Sequence, residues 1–348
     1  MKKQLLIAAV AATMTSVAMA DISITGASKV NYTNTDYELA TKNDSNAFAH
    51  DTDFTIVGKN GGTTVSMTFA TTSATTNAST SVVTASNGTA TDTSASIATS
   101  TGGLQTEDVF MTSSIGDVNV KVGTWDNGND FVSDSSRAAN KFSANTTIGG
   151  VKITYDANNT GGSNAVTVSG SMGGVNASYK DEVLGEEIKV STTVAGVTLA
   201  YHADNSDTAN SDRSSIEVSG DVSGIKLSYV QIDADTGVAI DGDSWAGDFE
   251  DGGFDNTTNA VTTNAYDLSQ GQDVTAMKVS TSMAGNTIAF TRTDVDGVTG
   301  KNTEINKFTV TRPLASGATF EATYTTISDD KSTTTDADIL DLELAVKF

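Results

Sequence analysis

Residues 187–204 read "EIKVSTTVAGVTLAYHAD". Ile188 and Val190 alternate with Lys189 and Ser191, and after Gly196 the alternation resumes. Val197, Leu199 and Tyr201 share one face, while Thr198, Ala200 and His202 share the other. A period of two is the mark of a strand with two unlike faces. The small residues Val194-Ala195-Gly196 between the two runs make a tight turn, so the stretch is a β-hairpin that ends on an aromatic and an acid.

The same unit recurs along the chain. "KFSANTTIGGVKITYDAN" from Lys141, "AVTVSGSMGGVNASYKD" from Ala165, "SIEVSGDVSGIKLSYVQID" from Ser215 and "AMKVSTSMAGNTIAFTRTD" from Ala276 repeat it. Looser copies begin at Asp53, Asp108 and Lys307. Eight hairpins, an N-terminal strand from Ile22 to Tyr32 and a C-terminal strand "LDLELAVKF" (Leu340 to Phe348) make eighteen strands. Between hairpins run polar, mostly acidic connections of a few to several tens of residues, so short turns lie at one end of the sheet and long loops at the other.

An antiparallel sheet of this size has to close, split or cap its edges. Alternation alone does not decide, because a soluble sandwich also has a wet face. Three features favour a closed transmembrane barrel. No helix or second set of strands is evident to cover so many apolar faces. Tyr155, Tyr179, Tyr201, Tyr229 and Phe290 each lie five residues past a turn glycine, at a common height, as an aromatic girdle requires. An even strand number puts both termini at the short-turn end. The fold class expected is therefore all-β, a transmembrane antiparallel up-and-down β-barrel. Closure pairs every backbone polar group, which lets β-structure cross lipid.

Composition agrees. "MKKQLLIAAVAATMTSVAMA" has two lysines, a short apolar run and Ala18-Met19-Ala20, the pattern of a secretory signal peptide over 1–20, leaving the barrel domain at 21–348. Loss of Lys2 and Lys3 with it takes the net charge from −23 to −25. Such acidity argues against nucleic acid as a partner. The chain has no cysteine and one proline, Pro313.

The hairpin repeat, short Gly turns, acidic loops, signal ending Ala18-Met19-Ala20-Asp21 and terminal Phe348 span nearly the whole chain, and together resemble the Gram-negative outer-membrane general diffusion porins. The resemblance implies a water-filled channel for passive diffusion of small hydrophilic solutes and ions, sixteen strands against the eighteen counted, and a homotrimer without cofactors. It implies a setting of outer-membrane lipid and lipopolysaccharide. It also implies an inward-folded loop after the fifth strand, here 126–140 with Asp126, Asp130, Asp134 and Arg137, the alternative being a plain solvated loop. Phe348 resembles the terminal-aromatic signal read by the outer-membrane assembly machinery.

Alternation assigns a lumen face to Lys29, Lys121, Lys141, Lys152, Lys189, Lys226, Lys278 and Lys307, with Glu217, Glu321, Asp341 and Glu343 beside them. A lysine on the lipid face near the midplane would cost ~2–4 kcal/mol, so solubility alone places them inward. A basic wall facing an acidic loop would further tune ion selectivity. Catalysis has little support: no nucleophile motif is present, and His50 and His202 read as exposed polar residues near strand ends. Between Asp233 and Asp273 stand ten carboxylates and no Lys or Arg. They could hold calcium, although a solvated outer loop is the plainer reading. The Thr/Ser-rich loop Thr71–Gln105 reads as a mobile or subunit-contacting loop. Two other functions fit less well: a structural or adhesive outer-membrane barrel that binds partners through its long loops, and a secreted soluble β-protein.

Overall fold

The computed structural model describes residues 21–37, 45–71, 78–79, 96–97, 104–125, 138–158, 164–183, 185–235, 273–296, 302–329 and 336–348. Eighteen strands make one antiparallel sheet. The first six are β1 (Asp21–Tyr37), β2 (Ser45–Asn60), β3 (Thr63–Thr71), β4 (Leu104–Ile115), β5 (Val118–Trp125) and β6 (Ala138–Ile148). Six more follow: β7 (Val151–Asn158), β8 (Asn164–Met172), β9 (Val175–Glu182), β10 (Gly185–Val194), β11 (Val197–Ser206) and β12 (Arg213–Val222). The last are β13 (Ile225–Ala234), β14 (Asp273–Met283), β15 (Asn286–Asp296), β16 (Asn302–Pro313), β17 (Ala318–Asp329) and β18 (Ala337–Lys347). Each pairs with its neighbours in sequence, and β18 pairs with β1 from Ala27↔Lys347 to Tyr37↔Ala337, so the sheet is closed. The eighteen strands counted from the hairpin repeat are present; the sixteen suggested by resemblance are not. A separate two-residue ladder joins Ala78–Ser79 to Ser96–Ile97.

The tight turns are built as the repeat predicts. At Ala195-Gly196 both φ values are positive, 52° and 83°, the two-residue hairpin turn whose twist matches the strands it joins. Four other turns share this form, with Ser223 and Ala284 among the residues holding the first position.

Outward faces are apolar. Val197, Leu199 and Tyr201 are 42–46% exposed, and the same phase exposes Val151 and Ile153 on β7 and Leu340, Leu344 and Val346 on β18. Among the described residues no second layer covers them, which in water would be prohibitive and in lipid is the stable state. Tyr155, Tyr179, Tyr201, Tyr229 and Phe290 all lie on this outer face, 39–44% exposed. Tyr179 donates its hydroxyl to Glu186 Oε2 at 2.7 Å, so the ring's polar tip already meets an acceptor on the next strand.

The strands do not stop at the aromatics, as the polar sequence after each of them suggests. β13 runs five residues beyond Tyr229 and β15 six beyond Phe290. Past this level the polarity of the two faces inverts. Gln231 and Asp233 point outward with Arg292, Asp294 and Glu304, while Val230, Ile232, Val274, Ala276 and Ile305 point inward at 0–1% exposure. Ile305, Ile327 and Ala337 form a small core with Tyr37 and Ile339 against it. The inner face of the barrel is thus polar below the girdle but apolar along the outer ends of β13–β18, a correction to the uniformly wet inner face expected. The girdle marks where hydrocarbon ends, and above it, on β13–β18, the alternation that suited lipid outside and water inside is reversed.

Candidate functional site

The charged inner wall is the face on which solute could act. Each of Lys29, Lys121, Lys141, Lys152, Lys189, Lys226, Lys278, Lys307, Glu217, Glu321 and Glu343 adjoins an outward apolar residue in its strand and therefore lies on the inner face. Three groupings result, separated around the wall.

On β4–β6, Lys121 Nζ sits 3.9 Å from the ring centre of Phe110 and 4.3 Å from that of Trp125, with Lys141 Nζ 5.5 Å from Trp125. The two rings meet edge-on at 6.4 Å. The ring faces attract the ammonium groups and hold both lysines against the wall. The bulge between Gly123 and Trp125 sets this up. Gly123 has φ 143°, and a Cβ there would stand 2.1 Å from the Val109 carbonyl oxygen.

On β9–β12, Glu187 is the hub. Its Oε1 lies 2.7 Å from Lys189 Nζ and 2.9 Å from His202 Nε2, and its Oε2 accepts from Lys180 Nζ at 3.5 Å. Lys180 also pairs with Glu182, and Arg213 with Asp204 at 3.0 Å. His202 is therefore a buried, mid-strand residue beside the Glu187 carboxylate, not the exposed strand-end residue expected from sequence. The strand continues past Tyr201, so His202 lies in the wall. Across from it in register stands Ser215, so an acid, an imidazole and a hydroxyl fall on consecutive strands. His202 and Ser215 are only 5% and 4% exposed, and Glu187 is shared with Lys189. His50 lies on the outer face across from Val30, again inside a strand.

On β16–β18 and β1–β2, carboxylates dominate. Glu321 and Glu343 face each other directly, Glu321 accepts from Thr311 at 2.8 Å, and Asp341 accepts from Thr33 at 2.9 Å. Lys29 lies across from Asp51. The wall is thus mixed in charge rather than basic, because alternation places acids inward as readily as lysines. Lys180, Glu187, Asp204, Arg213, Phe110 and Trp125 were all missed, though each lies one or three residues, an odd number, from an outward apolar or aromatic residue of its own strand: Tyr179, Ile188, Tyr201, Ile216, Val109 and Val122.

Asp126, Asp130, Asp134 and Arg137 lie outside the described residues, as does 236–272 of the acidic stretch. Among the described residues no group of three or more His, Asp or Glu could hold a metal ion. Outside the membrane span, Asp273 at the outer end of β14 has its carboxyl pushed above the usual range, first by burial and then by Asp233 and Asp296.

No family model matches the chain, and no curated protein matches it in sequence. Solved structures do match. The barrel superposes on the outer membrane protein OpdK of Pseudomonas aeruginosa with TM-score 0.62 at 9% identity, covering 94% of this chain and 98% of that one. OpdK crystallised with vanillate gives TM-score 0.60 at 11% identity over the same shares. Acinetobacter baumannii OccAB4 gives TM-score 0.61 at 9% identity, again covering 94% and 98%. The chain has the fold of these Gram-negative outer-membrane porins, a closed eighteen-strand antiparallel barrel.

Proposed function

We propose that the protein is an outer-membrane channel that passes small hydrophilic solutes and ions by passive diffusion. One observation carries this reading: a single closed barrel whose outer face is apolar from the turns to an aromatic girdle and whose inner face over the same height carries Lys, Glu, Ser, Thr and Asn. An apolar exterior requires lipid, and a charged inner wall requires water inside. The vanillate held by a structural neighbour, a small carboxylate, adds anions to the solutes worth testing, and the inner lysines support them.

Export by a cleaved signal over 1–20, recognition of Phe348 by the assembly machinery and contact with lipopolysaccharide belong to the same proposal and rest on sequence. The trimer was tied to the sixteen-stranded type. An eighteen-strand barrel does not carry that ground over, and the conducting unit proposed here is one barrel. We assign it no catalytic residue and no cofactor. Calcium at 233–273 would need a shift of spectrum or melting on titration. Nothing in the described wall favours the adhesive alternative.

Purified protein in a planar bilayer should give stepwise, largely ohmic conductance, and extraction should require detergent, with gel mobility that changes on heating. A tight, non-conducting barrel would overturn the channel reading.

A further inference from the structure

A recess of about 700 Å³ opens into the inner wall between β6 and β12. Register explains it. Lys152, Ser169, Ser178, Lys189 and His202 face one another in succession across β7 to β11, one residue per strand. The row two residues nearer the turns continues with Ser171, Asn176, Ser191 and Ala200 and ends at Glu217 on β12. Lys152 therefore stands at one end and Lys189, His202 and Glu217 at the other, and short hydroxyl and amide side chains make the floor between. With strands about 4.8 Å apart, Lys152 and Lys189 are separated by three strand spacings, roughly 14 Å along the wall. Two flexible ammonium arms over such a floor leave a gap the size of one sugar-like solute. Among the described residues no ion pair engages Lys152, while Lys189 reaches Glu187 at 2.7 Å.

The lining defines what would fit. Hydroxyl and amide groups exchange hydrogen bonds with a hydroxylated ligand, and ammonium groups hold an anionic end. Among the described residues of β6–β12 no Phe, Tyr or Trp side chain faces into the recess: the ring of Tyr201 points outward. Phe110 and Trp125 lie on β4 and β5, outside this arc. Ser171, Asn176 and Ser191 already bond to one another, so the hydroxyls of Ser169 and Ser178 are the ones a polyhydroxylated ligand would engage and an aromatic acid would not.

We propose that this recess is a binding site for a polyhydroxylated anion, a sugar acid or sugar phosphate, occupied in passage through the pore. The proposal rests on the channel reading and deepens it. The test is single-channel recording of the full barrel with gluconate, glucose 6-phosphate, benzoate and glucose added in turn. Gluconate or glucose 6-phosphate should interrupt the current at concentrations where benzoate and glucose do not, the tighter of the two identifying the anionic group. Lys152→Gln should weaken that block about tenfold and Ser178→Ala about threefold, in barrels of unchanged heat-modifiable mobility. Benzoate blocking as well as gluconate, or a block indifferent to both substitutions, would overturn the proposal. A channel that conducts but is blocked by none of the four overturns it while leaving the channel reading intact, whereas absence of conductance removes the channel reading itself.

Discussion

At Gly26 the barrel closes on itself. Its N–H donates to the Phe348 carbonyl at 2.7 Å, and the Phe348 N–H donates back to the Gly26 carbonyl at 2.9 Å. A Cβ on Gly26 would come within 2.7 Å of both the Phe348 ring and the Asp53 carbonyl oxygen. The ring lies over the hydrogen atom that glycine provides, a packing that covers an otherwise bare stretch of outer wall. Gly26→Val should therefore lower the yield of folded barrel, read as loss of the heat-modifiable gel band. Deleting Phe348 should impair assembly more than it alters the conductance of barrels that form; unchanged assembly would remove its role as a signal. Asp273 gives a pH signature. Its folded pKa is raised, so the folded state holds the proton more tightly than the unfolded chain, and stability falls as pH rises from the ordinary carboxylate range through the raised value. Asp273→Asn should raise the thermal midpoint in detergent at pH 7 and change it little at pH 3.

The strand and turn scale was the most legible. Tyr201 and Leu199 announce the lipid face and Lys189 the inner face because the period of two leaves no other register once one face must meet lipid. Ile153→Lys should cost ~2–4 kcal/mol and Thr154→Lys under about 1 kcal/mol, measured by denaturant midpoints in lipid vesicles. The turns were legible from glycine at their second position, but not from the first. Ala195 and Ala284, each with φ 52°, occupy a left-handed conformation that Asn or Gly adopts more readily. Ala195→Asn should stabilise the barrel by about 1 kcal/mol, again read as a shift of the denaturant midpoint.

For the whole molecule, sequence alone determined the antiparallel order and which face meets lipid, because each follows from local alternation repeated strand after strand; the count of eighteen over sixteen was decided by the closed sheet. The inverted polarity above the girdle was present in "YVQID", where Val230 and Ile232 take the inner phase, but its meaning depends on where the membrane ends, which no single strand states. Val230→Asp and Ile305→Asp should each cost at least about 3 kcal/mol despite facing inward, since a charge would be buried without water; a smaller loss would show that this face is wet. What only the tertiary structure decided is the sideways company each inner residue keeps. Lys152 and Lys189 are 37 positions apart in the chain, and Ser169 and Ser178 lie between them only because strand register stacks one residue per strand into a row. Glu187 meets His202 and Lys180 for the same reason. Alternation fixes which way a side chain points from local geometry, whereas its neighbours across the sheet depend on registers set jointly by every turn, bulge and loop in the closed barrel.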